Sequence, residues 1–110
     1  MNFEVVATGT FHRKVKTLAK KHTSLRNDLA PLIASLASDP TQGTSLGMGC
    51  YKIRVAIKSK GKGKSGGARI ITYMKKIKRT VYLLDIYDKS DQDTLSDKEM
   101  KALVNLLAEQ

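Results

Sequence analysis

Lys52 and Arg54 stand two apart in Tyr51-Lys52-Ile53-Arg54-Val55-Ala56-Ile57-Lys58, a run that alternates apolar and basic residues. A period of two is the signature of a half-buried strand, so the two cations share one face. A second strand-like run, Ala68 to Met74, puts Arg69 and Ile71 on one face and Ile70 and Thr72 on the other. Three cations on adjacent strands with no carboxylate to pair them repel one another, and the arrangement is costly unless a polyanion occupies it. Their chemistry is electrostatic. Arg and Lys aimed at phosphate oxygens stabilise charge that develops there, and they grip a nucleic-acid backbone. The plain alternative is the solvent face of a half-buried strand, but such a face usually mixes signs.

The same segment carries more. Between Pro40 and Leu84 stand eleven cations and no acid, including Lys75, Lys76, Lys78 and Arg79 at a turn. Ser59 to Gly67 reads SKGKGKSGG, where Lys58, Lys60, Lys62 and Lys64 alternate with small residues. Gly lets a backbone approach phosphates closely, so the expectation is a flexible basic hairpin tip that clamps nucleic acid. Gly63-Lys64-Ser65 resembles the end of a phosphate-binding P-loop. The first glycine of that motif would fall on Lys58, however, and a strand rather than a helix follows, so a nucleotide P-loop is rejected.

Other chemistries find little support. His12 and His22, ten residues apart, do not share a helix face, and with the lone Cys50 they make no zinc set. Cys50 has no nearby His, which argues against a catalytic thiol, and a single Cys fits a reducing compartment. Asp85, Asp88, Asp91, Asp93 and Asp97 miss the calcium-loop spacing. They are read as bordering the site, favouring the last helix start, or solvated. No metal and no cofactor is expected.

A chain of 110 residues that is 41% hydrophobic suits one domain with a modest core. The net charge of +10 is uneven: residues 1–39 carry +3, residues 40–84 carry +11 and residues 85–110 carry −4. There is no stretch of roughly 20 apolar residues and no secretion signal at the start, so a soluble cytoplasmic protein without membrane contact is expected.

The elements that must position these cations follow from pattern. Phe3 to Thr8 is a β-prone first strand. Thr10 caps a helix through His22 whose stripe is Phe11, Val15 and Leu18. Leu25, Leu29, Leu32, Ile33 and Leu36 form a second helical stripe, with Ser24 as candidate cap. Pro31 interrupts it, so this helix either kinks there or begins near Asn27; the in-phase Leu25 and Leu29 favour the kink. Thr41 to Gly49 reads as a loop, and three strands follow, with Thr80 to Tyr87 as the central one. Ser96 and Glu99 form a capping box before a last helix with the stripe Met100, Leu103, Leu106 and Leu107. The predicted order is β-α-α-β-β-β-α in a single α+β domain over residues 1–110. Its sheet is four-stranded, curved and mainly antiparallel, with the helices packed on one face and the basic face open.

With these pieces in hand, the chain resembles the RelE-type toxins of bacterial type II toxin–antitoxin systems. The resemblance rests on Cys50-Tyr51-Lys52-Ile53-Arg54, on Gly67 through Tyr73, and on Val81 through Lys89. The loop KGKGKSGGAR is similar to the HigB branch of the RelE/ParE superfamily. The resemblance implies a metal-independent mRNA endoribonuclease acting in the ribosomal A site. Its chemistry is attack of a ribose 2′-hydroxyl on the adjacent phosphate. By the same carry-over, Lys52 becomes the proton-transfer candidate, a role open to a Lys whose pKa neighbouring cations lower. Arg54 and Arg69 become phosphate stabilisers, and Lys89 the leaving-group acid or a clamp. Lys58, Lys60, Lys62 and Lys64 would bind the RNA backbone, with Tyr73 and Tyr87 stacking on bases. The sequence departs from the family pattern in having Arg54 where Lys is usual. It also has no counterpart, near Leu95, of a C-terminal catalytic tyrosine.

The implied partners are a cognate antitoxin of helix-turn-helix type, the 70S ribosome and mRNA. Two other readings remain open. A ParE-like gyrase inhibitor would share the fold but lack Lys52, Arg54 and Arg69 together. A non-catalytic nucleic-acid-binding module would show only salt-sensitive binding.

Overall fold

A computed structural model describes residues 2–92 and 94–108. The element order is β1 (Glu4–Ala7), α1 (Gly9–Lys21), α2 (Leu25–Ser35), β2 (Thr44–Gly47), β3 (Cys50–Val55), a 3-10 turn (Lys58–Lys60), β4 (Ala68–Lys75), β5 (Thr80–Asp88) and α3 (Asp97–Ala108). The sheet order is β1-β5-β4-β3-β2, with β1 parallel to β5 and every other pairing antiparallel. The α+β class and the mainly antiparallel sheet are as expected, and the strand count is five rather than four. The added strand, β2, comes from the stretch read as a loop. Its residues Thr44 and Ser45 pair with Lys52 and Tyr51. Thr-Ser-Leu-Gly is too short and too polar to show a period, so only its partner defines it. The centre of the sheet is β4, not Thr80 to Tyr87.

The helices also divide between the two faces, against the expectation of one. Phe11, Val15, Leu25, Leu29 and Leu36 pack on Ile53, Val55, Ile70, Val81 and Leu83 to form the larger core. Met100 packs with Cys50, Ile71 and Leu84 on the opposite face, joined by Leu103, Val104 and Leu107. Burying one such side chain contributes about 2 kcal/mol. Val104 takes the place expected of Leu106, which is 53% exposed. The two clusters are separated by the strict alternation of β3 and β4, which sends Ile53 and Ile70 one way and Cys50 and Ile71 the other. Ordinary alternation sends Leu83 and Leu84 to opposite faces, and a bulge at Ile71/Thr72 against Leu83 and Asp85 leaves Leu84 as the extra residue of β5.

The helix ends follow local chemistry. Thr8, not Thr10, caps α1: its Oγ1 accepts from the Phe11 amide at 3.2 Å while donating to the Leu83 carbonyl oxygen at 2.9 Å. This ties the helix start to β5. The second helix begins at Leu25 and carries Pro31 in its interior, as the in-phase leucines indicate. Ser24 makes no cap bond and instead donates to Asp28 Oδ2 at 2.7 Å. The capping box of α3 is present, with the Glu99 amide donating to Ser96 Oγ at 3.1 Å and the Ser96 amide to Glu99 Oε1 at 3.3 Å. The Ser96 hydroxyl, which donates to Glu99 Oε1 at 2.9 Å, and then the Ser96 amide lower the exposed Glu99 carboxyl below its ordinary range. Among the described residues no helix is long and apolar enough to cross a membrane.

Candidate active site

Contrary to the expectation of a helix-free basic face, two rows of side chains run across the same side of the sheet that α3 packs on. Antiparallel register sets Arg54 opposite Arg69, and Arg69 opposite Tyr87. The next row sets Thr44 opposite Lys52, Lys52 opposite Ile71, and Ile71 opposite Asp85. Residues directly opposite in such pairs point to the same face, so the alternation read in the sequence brings Lys52, Arg54 and Arg69 together. Lys52, Arg54 and Lys64 then line a polar pocket of about 360 Å³ with Gln42, Gly43 and Thr44. Among the described residues no carboxylate lines it, so its charge is suited to phosphate. Gly43 is needed here: at φ +94 a Cβ would run into the carbonyl oxygen of Lys52.

Arg69 has a different environment from its neighbours. It is 5% exposed. Its Nη1 donates to the carbonyl oxygens of Lys64 at 2.8 Å and Ala68 at 3.1 Å, and its Nη2 to that of Ser65 at 3.4 Å. A guanidinium presents a rigid fork of donors, and here the fork holds the end of the glycine-rich loop in place. The side chain therefore fixes the position of Lys64, which borders the pocket, while Arg54 is exposed beside it.

Both ends of the glycine-rich loop are tied to the fold. Its first part is a 3-10 turn anchored on α2: the Lys58 amide donates to Asp28 Oδ2 at 3.0 Å and the Ser59 amide to Ser24 Oγ at 2.8 Å. Gly67 packs so closely on β3 that a Cβ would collide with the Val55 carbonyl oxygen. Its own carbonyl accepts from the Lys89 amide at 2.9 Å. Lys60 is not presented to solvent. Its Nζ donates to Asp88 Oδ1 at 2.7 Å and to Ser90 Oγ at 2.8 Å. His22 Nε2 meets the other Asp88 oxygen at 2.7 Å. Burial alone would raise the Asp88 carboxyl. The bonds from Lys60, the Ser90 amide and His22 outweigh it and hold that carboxyl well below the usual range.

Lys58, Lys62 and Lys64 remain exposed along the loop. Lys89 follows β5 and is half-buried, close in sequence to Tyr87 on the Arg54–Arg69 row. Tyr87 itself is 4% exposed. Tyr73 lies four residues along β4 from Arg69, opposite Cys50, and stacks on Tyr82 at a centroid distance of 6.2 Å beside α3. It is not brought to the pocket. Cys50 is fully buried there, and burial pushes its thiol up to about 11, so it is not a nucleophile.

The acids of β5 are not solvated. Asp85 is buried with Lys14 Nζ 2.6 Å from its Oδ1, and Asp88 is the buried hub just described. Asp93 lies outside the described residues. The pocket residues missed in the sequence are Gln42 and Thr44; both stand in the polar run 41–45, ahead of the basic strand β3. Asp88 was missed because its partners lie 66 and 28 residues away.

The sequence matches the family described as the RelE toxin of the RelE / RelB toxin–antitoxin system over residues 5–110. Among solved structures, the fold is similar to free Escherichia coli RelE carrying two arginine-to-alanine changes. That match has a TM-score of 0.63 and 13% identity over 96% of this chain and 97% of that one. It is also similar to a chain of the intact E. coli RelBE toxin–antitoxin complex, with a TM-score of 0.60 and 16% identity over 78% and 95% of the two chains. Isolated E. coli RelE gives 0.55 and 17% over 94% and 98%. Over nearly its whole length, this chain belongs to the RelE family of toxin–antitoxin toxins.

Proposed function

We propose that the protein is a translation-inhibiting endoribonuclease of the HigB-like branch, cleaving mRNA on the 70S ribosome in the cytoplasm until a helix-turn-helix antitoxin neutralises it. The observation that carries this reading is the pocket in which Lys52, Arg54 and Lys64 converge on one face of the sheet with no carboxylate among the described residues that line it. A phosphodiester seated there meets three cations with no competing acid.

The 2′-oxygen attacks the adjacent phosphorus and the bond to the 5′-oxygen breaks, leaving a 2′,3′-cyclic phosphate and a 5′-hydroxyl. Lys52 moves the proton off the attacking hydroxyl, and Lys89 delivers one to the leaving oxygen. Arg54 and Lys64 stabilise the charge that grows on the non-bridging oxygens. Arg69 acts through the loop it holds, as a positioning residue. The positive charge comes from side chains, so the reaction as written needs no metal. Tyr87, buried and opposite Arg69 in the sheet, supports the row; Tyr73 supports α3.

Mapping mRNA 5′ ends in a translating extract tests this. Wild type should produce new 5′-hydroxyl ends within translated messages, and Lys52→Ala with Arg54→Ala should produce none while remaining folded. Equal cleavage by the double variant would overturn the assignment. Damage to DNA without RNA cleavage would replace the reading with gyrase inhibition.

A further inference from the structure

The pocket has a wall that phosphate chemistry does not explain. Gln42 is half-buried, and its side-chain nitrogen donates to Ser35 Oγ at 2.7 Å and to the Asp39 carbonyl oxygen at 3.2 Å. Both amide hydrogens are thereby engaged by the protein, which fixes the plane of the group. The remaining polar atom, Oε1, accepts no hydrogen bond among the described residues. An acceptor oxygen is wrong for a phosphate, whose oxygens only accept, and right for a ligand that carries a donor. Thr44, on the same wall, adds an exposed hydroxyl directly across from Lys52. The close approach of Gly43 to Lys52 holds both residues at a fixed height above β3.

We propose that Gln42 and Thr44 form the base-reading half of a single-nucleotide subsite whose phosphate half is Lys52, Arg54 and Lys64. Gln42 Oε1 accepts from an exocyclic amine, and the Thr44 hydroxyl donates to the ring nitrogen beside it. Adenine and cytosine present that donor–acceptor pair. Uracil presents a single N–H flanked by two carbonyls, and those carbonyls repel Oε1. The subsite thus favours amine-bearing bases over uracil. It deepens the ribonuclease reading and rests on it for its biological meaning.

Binding of 2′-O-methylated cytosine and uracil trinucleotides, read by fluorescence anisotropy, tests the subsite without any cleavage. A difference of one hydrogen bond predicts about a fivefold tighter binding of the cytosine ligand by wild type. Gln42→Leu should erase that ratio. Gln42→Glu keeps an acceptor but loses both donors that fix its plane, so it should weaken binding of both ligands and lower the ratio. Equal affinities in wild type, or an unchanged ratio in Gln42→Leu, overturn the proposal. An intact ratio in a protein that cleaves no mRNA would remove the nuclease and keep the subsite; cleavage without any ratio would do the reverse.

Discussion

Lys60 and Lys64 sit four residues apart in one glycine-rich loop, have the same side chain, and do opposite work. Lys60 is turned inward, where Asp88 and Ser90 take its ammonium and His22 shares the carboxylate. Lys64 stays exposed, held at the pocket edge because Arg69 grips its backbone carbonyl. One cation is neutralised to build the scaffold, and the other is left unneutralised to meet a polyanion. A run of like charges is thus not one functional unit. Its members are sorted by which of them a distant carboxylate can reach.

The scaffold half breaks with the largest effect. Asp88→Ala strips a buried cation and a buried imidazole of their shared anion, and should cost about 3–5 kcal/mol in urea unfolding. Asp88→Asn should separate charge from shape. A carboxyl held below its ordinary value contributes stability that is fully present above the unfolded value near about pH 4, and that is lost as pH falls below it. Wild type should therefore lose more stability on acidification through that window than Asp88→Asn does. Parallel acid curves for the two would show that Asp88 is not the anchor of the loop.

The pocket half should break activity and spare stability. Lys52→Ala or Arg54→Ala should each lower cleavage about 10²–10³-fold, the scale of removing one preorganised charge from a transition state. Melting temperatures should stay near wild type, since Arg54 is exposed and Lys52 only half-buried. A variant that loses both together would move its residue from the pocket half to the scaffold half.

The division between these halves was only partly legible in the sequence. Period-two alternation fixed which face Lys52, Arg54 and Arg69 share, because a strand has only two faces. The capping box and the last helix were legible for the same local reason. What failed was non-local. The β2 strand has no pattern of its own and exists through its pairing with β3. The side of the sheet taken by α3 depends on Cys50, Ile71 and Leu84 being left apolar after the first core is filled, which no window around residues 97–108 contains. Lys60 could not be told from Lys64, because its partner Asp88 lies 28 residues on and beyond the acid-free block.

Arg69 tests the seam between the halves. Arg69→Lys keeps the charge and loses the fork, so a residue whose role is charge on phosphate would tolerate it, and a positioning residue would not. The expected result is a loss of about 1.5–3 kcal/mol in stability, the scale of hydrogen bonds from a charged donor. Faster amide exchange over residues 62–66 and weaker RNA binding should accompany it. Unchanged exchange with reduced cleavage would place Arg69 directly on the phosphate instead.

The smallest effect belongs to Lys64. Replacing an exposed lysine with methionine changes stability by no more than about 0.5 kcal/mol. Removing one lysine from a phosphate should flatten the dependence of log affinity on log salt by about one. Lys64→Met should show that flattening for a single-stranded RNA, with all base compositions weakened alike, because a lysine on phosphate carries no sequence information. Lys62→Met, in the same loop but not lining the pocket, should flatten it less. Equal slopes for the two variants would mean that the loop acts as a diffuse cationic surface, and that the grip of Arg69 on the Lys64 carbonyl serves stability alone.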